Sequence, residues 1–255
     1  MRWLAAAGLL LLTACAGGPG GRDDPGARAD RAVLARLPPV AEPTSVVATE
    51  LAFARAAREQ GQWTAYADYA ADDALIAVPQ PVAARDWLAG RANPASADRW
   101  APRDVWSSCD GSAVLVAGIS VDPAGEWSRF TRIWQRDDEG EFRWTHSAAA
   151  PDPALTRNRR EQDRARSAPT DDAILVEAAS FIRARTAACD TAPAQPLPAG
   201  APGGDAQGTA SASRDGTLRW HWQAEPGGRA AIVGRFWTDG GWETVPADAG
   251  GPAGG

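Results

Sequence analysis

Residues 127–147 read WSRFTRIWQRDDEGEFRWTHS, and this stretch decides the fold class. In Glu141 to Ser147 the large apolar side chains alternate with polar ones, and Trp127 to Arg136 is rich in aromatic and β-branched residues, so both runs are typical of strands. Asp137-Asp138-Glu139-Gly140 separates the two runs and favours a tight turn. The stretch therefore predicts a β-hairpin.

Two further strands are predicted just before this hairpin, at Trp100 to Cys109 and Ala113 to Val121. The turn residues Asp110-Gly111 and Asp122-Pro123-Ala124-Gly125 follow them. Because such short turns join antiparallel neighbours, the four strands are expected to form one antiparallel meander.

The chain before Pro94 has the spacing of helices instead. Helices are predicted from Thr44 to Gly61, around Trp63 to Ala70, and from Val82 to Leu88, with a strand at Ala74 to Pro79. Three N-terminal helices followed by an antiparallel sheet predict an α+β fold, with the helices gathered on one face of the sheet.

Residues 1–14 have the pattern of a signal peptide. Arg2 supplies a positive start, and the apolar run Leu4 to Leu12 is too short to span a bilayer. The run ends in Leu12-Thr13-Ala14-Cys15, which resembles the lipobox of bacterial lipoproteins and implies acylation of Cys15 and cleavage before it. Ala16 favours the outer membrane, with the chain facing the periplasm. The alternative is an ordinary secretory peptide with an incidental cysteine.

The remaining segments are defined by composition. Polar, Pro-rich or Gly-rich stretches predict four segments without a packed core. They are a flexible tether at residues 15–43, a linker at 151–170, a disordered loop at 192–213 and a disordered tail at 247–255. The loop lies within a β-rich extension, residues 171–246, whose clear strands are Thr217 to Gln223, Ala230 to Thr238 and Gly241 to Val245. Asp172 to Ala188 fits a helix or strands, and strands are favoured.

Charge and composition exclude several classes of function. The net charge is −6, so we expect no nucleic-acid partner and no basic surface for anionic lipid. With only two histidines, neither a metal site nor a cofactor is predicted, and no phosphate-binding loop or nucleophile elbow is present.

Residues 44–150 resemble the nuclear transport factor 2-like superfamily, especially its SnoaL-like members. The matching residues are Glu50-Leu51-Ala52-Phe53-Ala54, Tyr69 to Ala74, Arg129 to Trp134 and Gly140 to Trp144. The resemblance implies a strongly bent sheet wrapped round the helices, forming a cone with a pocket at its mouth. Members include isomerases, dehydratases and cyclases, and many that only bind ligands or dimerise.

His146 is the candidate catalytic base. Strand alternation places it on the face of Phe142 and Trp144, where Asp72-Asp73 or Tyr66 could orient it. The alternatives are a strand-end histidine with no role, and an aspartate pair that only forms a turn.

Tyr66, Arg132 and Trp144 are the candidate ligand-binding residues. An arginine that points into the pocket can bind a carboxylate with two hydrogen bonds. The alternative for such an arginine is solvation or pairing with an acidic side chain.

Cys109 and Cys189 are the cysteines that remain after lipidation of Cys15. An exported compartment is oxidising, so an even pair predicts a disulfide. Two buried free thiols, or a bridge between two molecules, are the alternatives.

Two functions follow from these features. The first is a lipid-anchored, non-catalytic domain that binds a small apolar ligand or another envelope protein and can form a homodimer through the sheet. The alternative is a SnoaL-like isomerase, dehydratase or hydrolase that uses His146 with an aspartate. Ionisable groups that converge within the cone would favour the enzyme.

Overall fold

A computed structural model describes residues 41–167, 181–189 and 211–245. Several predictions lie outside these residues: the signal peptide, Cys15, most of the tether, the tail, and the greater parts of the loop 192–213 and of the segment 172–188. In the described residues no helix is both long and apolar enough to cross a membrane.

The described chain is a mixed α+β structure with a large curved sheet and few helices. The helices are α1 (Pro43–Gln60), α2 (Gln62–Tyr69), α3 (Ala84–Leu88) and α4 (Pro153–Ser167). The strands before α4 are β1 (Ala70–Ala77), β2 (Pro81–Ala83), β3 (Arg99–Ser107), β4 (Ala113–Val121), β5 (Trp127–Arg136) and β6 (Phe142–Pro151). The strands after α4 are β7 (Arg183–Thr186), β8 (Ser211–Ala212), β9 (Leu218–Ala224), β10 (Ala230–Thr238) and β11 (Gly241–Thr244).

Helix α1 begins and ends where its sequence signals lie. Pro43 occupies the first turn, where a missing N–H costs nothing. Gly61 ends the helix with φ 108°, a backbone conformation that favours glycine. Val46, Phe53 and Ala57 form the buried face of the helix, as their spacing predicts.

The large sheet has the strand order β2-β1-β6-β5-β4-β3-β7. The predicted meander β3 to β6 is antiparallel throughout. However, β1 pairs with β6, and β3 with β7, in parallel. The sheet is therefore not wholly antiparallel, because chain segments distant in sequence supply two of its strands.

The predicted third helix is shorter than expected. Residues 81–83 pair with β1 as an edge strand, with Ala83 opposite Leu75, and the helix begins only at Ala84. Hydrogen bonding to the sheet thus takes precedence over helical spacing at this point.

The C-terminal strands form a second sheet with the order β11-β10-β9-β8. It packs on the large sheet opposite the helices, where Leu218, Trp220 and Phe236 meet Leu115 and Ile133. Strand β4 is consequently buried on both faces, which explains its almost uninterrupted apolar sequence. A second copy that approached this face, as the predicted homodimer requires, would meet the small sheet first.

The predicted linker 151–170 contains helix α4. The start of the helix is local, because Asp152 Oδ1 accepts a hydrogen bond from the backbone N–H of Leu155 at 2.8 Å and Pro153 occupies the first turn. At the end of the predicted loop 192–213, Ser211 and Ala212 form β8 because they pair with Trp220 and Arg219.

Cys109 and Cys189 are joined by a disulfide, with a Cα–Cα distance of 5.3 Å. Cys109 follows β3, and Cys189 lies shortly after β7, which pairs with β3 in parallel. Within the ambiguous segment 172–188, the described residues Arg183–Thr186 form a strand.

Candidate functional site

A buried ion pair lies between α1 and the large sheet. Arg132 Nη1 on β5 contacts Glu50 Oε1 on α1, and the two side chains are 2% and 0% exposed. Glu50 lies on the buried face of α1 with Val46 and Phe53. A charge removed from water this completely requires partners at every oxygen and nitrogen.

Tryptophans and a tyrosine supply most of those partners, although the buried Arg132 Nε has no hydrogen-bond partner among the described residues. The indole N–H groups of Trp100 and Trp134 donate to Glu50 Oε1 and Oε2 at 2.8 and 2.7 Å. Arg132 Nη2 donates to the hydroxyl of Tyr66 at 3.0 Å. Burial raises the pKa of Tyr66 and the nearby Arg132 opposes that effect, so the hydroxyl stays protonated at neutral pH.

Aromatic packing fills the space around this pair. The Arg132 guanidinium lies 4.7 Å from the centre of the Phe53 ring, which also contacts Tyr66 and Trp100 edge to face. Trp144 Nε1 donates to the backbone oxygen of Tyr66 at 3.0 Å and so ties α2 to β6.

The structure therefore brings together the three predicted ligand-binding residues Tyr66, Arg132 and Trp144, but within a packed core. In the sequence, Glu50 stood out only as part of the motif Glu50 to Ala54, and its buried ion pair was not predicted. Its signal was visible, because a carboxylate on the apolar face of a helix needs a buried cation or donors.

His146 lies on the opposite side of the sheet from this core. Trp134 pairs with Trp144 and Ile133 pairs with His146, so Thr145 is an extra residue on β6. This bulge reverses the alternation: Trp144 faces the helices, whereas His146 lies against the small sheet. The prediction that His146 shares a face with Phe142 and Trp144 is wrong for this reason.

Two tryptophans of β9 pack against the half-buried His146 ring. The ring centres of Trp220 and Trp222 are 5.8 and 5.7 Å from that of His146. Burial lowers the pKa of His146 from its usual 6.5 to about 4, and the charge of Asp73 only partly opposes this. The imidazole is thus neutral at physiological pH, and Nδ1 lies 3.0 Å from Thr145 Oγ1.

The predicted partner carboxylates of His146 lie on the exposed part of β1. Asp72 forms an ion pair with Arg85 at 2.5 Å, and its side chain is 94% exposed. Asp72 and Asp73 fall where the β1–β6 register shifts, between the pairs Ala70–Trp144 and Leu75–His146. They belong to an irregular strand, and Asp73 acts on His146 through its charge.

A cleft of about 480 Å³ opens between the two sheets. Its walls include the apolar side chains of Ala148, Ala150 and Ile232. At its rim Arg129 Nε donates to Asp152 Oδ2 at 2.6 Å. The sequence of β4 is apolar on both faces, and this was the signal for a second layer packed on the sheet. No feature of the sequence indicated the cleft.

No group of three or more residues able to hold a metal ion occurs among residues 41–167, 181–189 and 211–245.

The comparisons with known proteins give only distant similarities. No family model matches the chain, and no curated protein matches it. A protein assigned as a ketosteroid isomerase, from Parabacteroides distasonis ATCC 8503, is similar in structure with a TM-score of 0.36 and 10% identity, over 46% of this chain and 98% of that one. The CaMKII hub of S. rosetta is similar with a TM-score of 0.34 and 16% identity, over 45% of this chain and 99% of the hub. Neither similarity assigns a function to this chain.

Proposed function

We propose that this chain is a lipid-anchored, non-catalytic binding protein of the bacterial cell envelope, and that it binds a small apolar ligand in the inter-sheet cleft. The observation that carries the proposal is the cleft, whose volume of about 480 Å³ lies in the range of small-molecule sites. Apolar walls would supply affinity, and the Arg129–Asp152 pair at the rim would supply orientation.

The ionisable groups support binding more than catalysis. Glu50, Arg132 and Tyr66 converge within hydrogen-bond distance, but they pair with one another, and Glu50 and Arg132 are removed from solvent. His146 is held between tryptophans, and Asp72 pairs with Arg85 at the surface. An acid–base mechanism would need these groups to face a bound substrate.

The anchor rests on Leu12-Thr13-Ala14-Cys15. Acyl chains on Cys15 would hold the protein in the envelope membrane, facing the periplasm, and Ala16 favours the outer membrane. We expect the mature chain to carry acyl mass and to partition into detergent, and we expect Cys15→Ser to lose both. A mature wild-type chain that is water-soluble and carries no acyl mass would contradict the anchor.

Filling the cleft tests the binding site. Ala150 lines the cleft and pairs with Arg129 in the β5–β6 ladder, so Ala150→Trp should occupy the space. We expect the apolar fluorophore N-phenyl-1-naphthylamine to bind the wild type and to bind this variant at least about tenfold more weakly. Ala124→Trp, at an exposed turn, is the matched control. Equal binding by both variants would place the ligand elsewhere.

A further inference from the structure

The charge of this acidic protein is unevenly distributed, and helix α4 carries the excess of positive charge. Its sequence PALTRNRREQDRARS holds five arginines against one glutamate and one aspartate, which leaves +3 on the helix. The whole chain carries −6. The net charge of the whole chain therefore does not describe this helix, which differs from it in sign.

The first turn of α4 is buried against the body of the protein, and further along the helix Arg160 forms an ion pair with Glu126. Leu155 and Thr156 are 5% and 4% exposed, and Thr156 Oγ1 accepts the backbone N–H of Trp127 at 2.9 Å. Residues 160–166 are all exposed. A helix that is polar on all sides gains little from packing, so an exposed face of this kind suits a charged partner.

The positive surface continues from α4 onto the sheet. The Arg159 guanidinium lies 5.0 Å from the centre of the half-buried Trp127 ring. Burial first, and the positive charge of Arg159 second, lower the pKa of Arg103 on β3. A tryptophan beside arginines is typical of surfaces that lie at a lipid interface.

We propose that α4 docks on the anionic lipid headgroups of the membrane that anchors the protein. This inference rests on the proposed lipid anchor. Arginine forks match phosphate geometry with two hydrogen bonds. The acidic remainder of the chain would be repelled by the same surface, so the two effects together would orient the protein.

The anchor would also keep the helix near its partner. The chain between Cys15 and Pro43 can extend to at most about 100 Å, so α4 would always remain close to the bilayer. A surface attraction too weak to hold a free protein is sufficient for one confined in this way.

Hydrogen exchange on vesicles tests the inference. The mature lipidated chain is placed in vesicles of phosphatidylcholine alone, or with about one third phosphatidylglycerol. On the anionic vesicles we expect the backbone amides of residues 157–166 to exchange at least about fivefold more slowly, and to return to the neutral-vesicle rate in about 1 M salt. Arg157→Glu with Arg164→Glu should remove the slowing.

The matched control reverses two exposed arginines of α1, Arg55→Glu with Arg58→Glu, and should keep the slowing. Equal exchange on both vesicles, or slowing that persists in the α4 variant, would overturn the inference while leaving the anchor intact. A chain that associates with neither vesicle would overturn the anchor and the inference together. Arg157→Gln with Arg164→Gln, which should also reduce the slowing, covers the case in which charge reversal unfolds the helix.

Discussion

A single carboxylate, that of Glu50, organises the interior between α1 and the large sheet. It pairs with Arg132 and accepts hydrogen bonds from two indoles, so one helix residue specifies the positions of three side chains on the sheet. Such a network stabilises the fold only while all its members are present. A buried charge that loses its partner lowers the free energy of unfolding, because it remains removed from water.

Glu50→Gln should therefore destabilise the protein far more than a charge change usually does. It leaves the Arg132 guanidinium buried without an anion, and we expect the free energy of unfolding to fall by about 3–5 kcal/mol in urea titrations. Glu59→Gln, at an exposed position of the same helix, should change it by less than about 0.5 kcal/mol. Similar losses in the two variants would contradict the role of the pair.

His146 should make stability depend on pH in the mildly acidic range. Its pKa is about 4 when folded and near 6.5 when unfolded, so the unfolded chain binds more protons between these values. The contribution is complete above about pH 6.5 and falls as the pH decreases towards 4, by on the order of 3 kcal/mol in all.

Urea titrations of the wild type and of His146→Leu at several pH values within that range measure this effect. The leucine variant cannot titrate, so its stability should decline less than that of the wild type as the pH falls. Parallel curves for the two proteins would show that His146 is accessible to protons in the folded state.

At the scale of elements, the contact between β4 and β10 sets how closely the two sheets approach. Gly234 of β10 lies directly over Leu115 of β4, so a Cβ at position 234 would clash with the leucine methyl Cδ1. Its backbone oxygen accepts the N–H of Val245 at 2.9 Å, which holds the end of β11 against β10. The glycine therefore allows the close stacking on Leu115, and it also leaves room for Val245, whose Cγ2 would lie 3.1 Å from a Cβ at this position.

Gly234→Ala should force the sheets apart or displace Leu115. We expect a loss of about 1–3 kcal/mol in the free energy of unfolding, as for other overpacked cores. Gly240→Ala, where a Cβ would meet only Thr238 Oγ1 at 3.9 Å, is the control and should change it little. If the two variants unfold at the same urea concentration, the stacking is looser than described.

At the scale of the whole molecule, the β3–β4 turn joins the two sheets at one end. The disulfide links Cys109 to Cys189, and the backbone N–H groups of Cys109 and Asp110 donate to Thr217 and Asp215 at 2.9 and 2.8 Å. The disulfide, with a sequence separation of 80 residues, joins the turn to the segment after β7, whereas the hydrogen bonds join the same turn to the β8–β9 turn of the small sheet.

Reduction of this disulfide should lower the stability of the whole molecule by about 4 kcal/mol, through the greater freedom of the unfolded chain. The measurement compares the thermal or urea transition with and without reductant, and Cys109→Ser with Cys189→Ser should match the reduced protein. A non-reduced digest should contain the two cysteine peptides joined. Alkylation of both thiols in protein that has never met reductant would refute the bridge.

Local patterns determined most of the elements. Helix α1, the meander strands and β9 to β11 follow from periodicity and from turn residues such as Asp110-Gly111, because these signals act between neighbours in the chain. The start of α4 was equally local, since Asp152-Pro153 is a helix-initiation pattern. The Arg-rich composition of the segment led to the linker interpretation instead.

Tertiary structure decided where the side chains of the candidate site lie. Three features depend on contacts between residues distant in sequence. They are the bulge at Thr145, the pairing of Glu50 with Arg132, which is 82 residues away, and the packing of the small sheet on the large sheet. The alternation of a strand assigns its residues to two faces, but it does not say which element packs against each face. One extra residue in the strand moves every following side chain to the opposite face. For that reason the sequence could nominate His146 and Arg132, while only the packed chain placed them on opposite sides of the sheet.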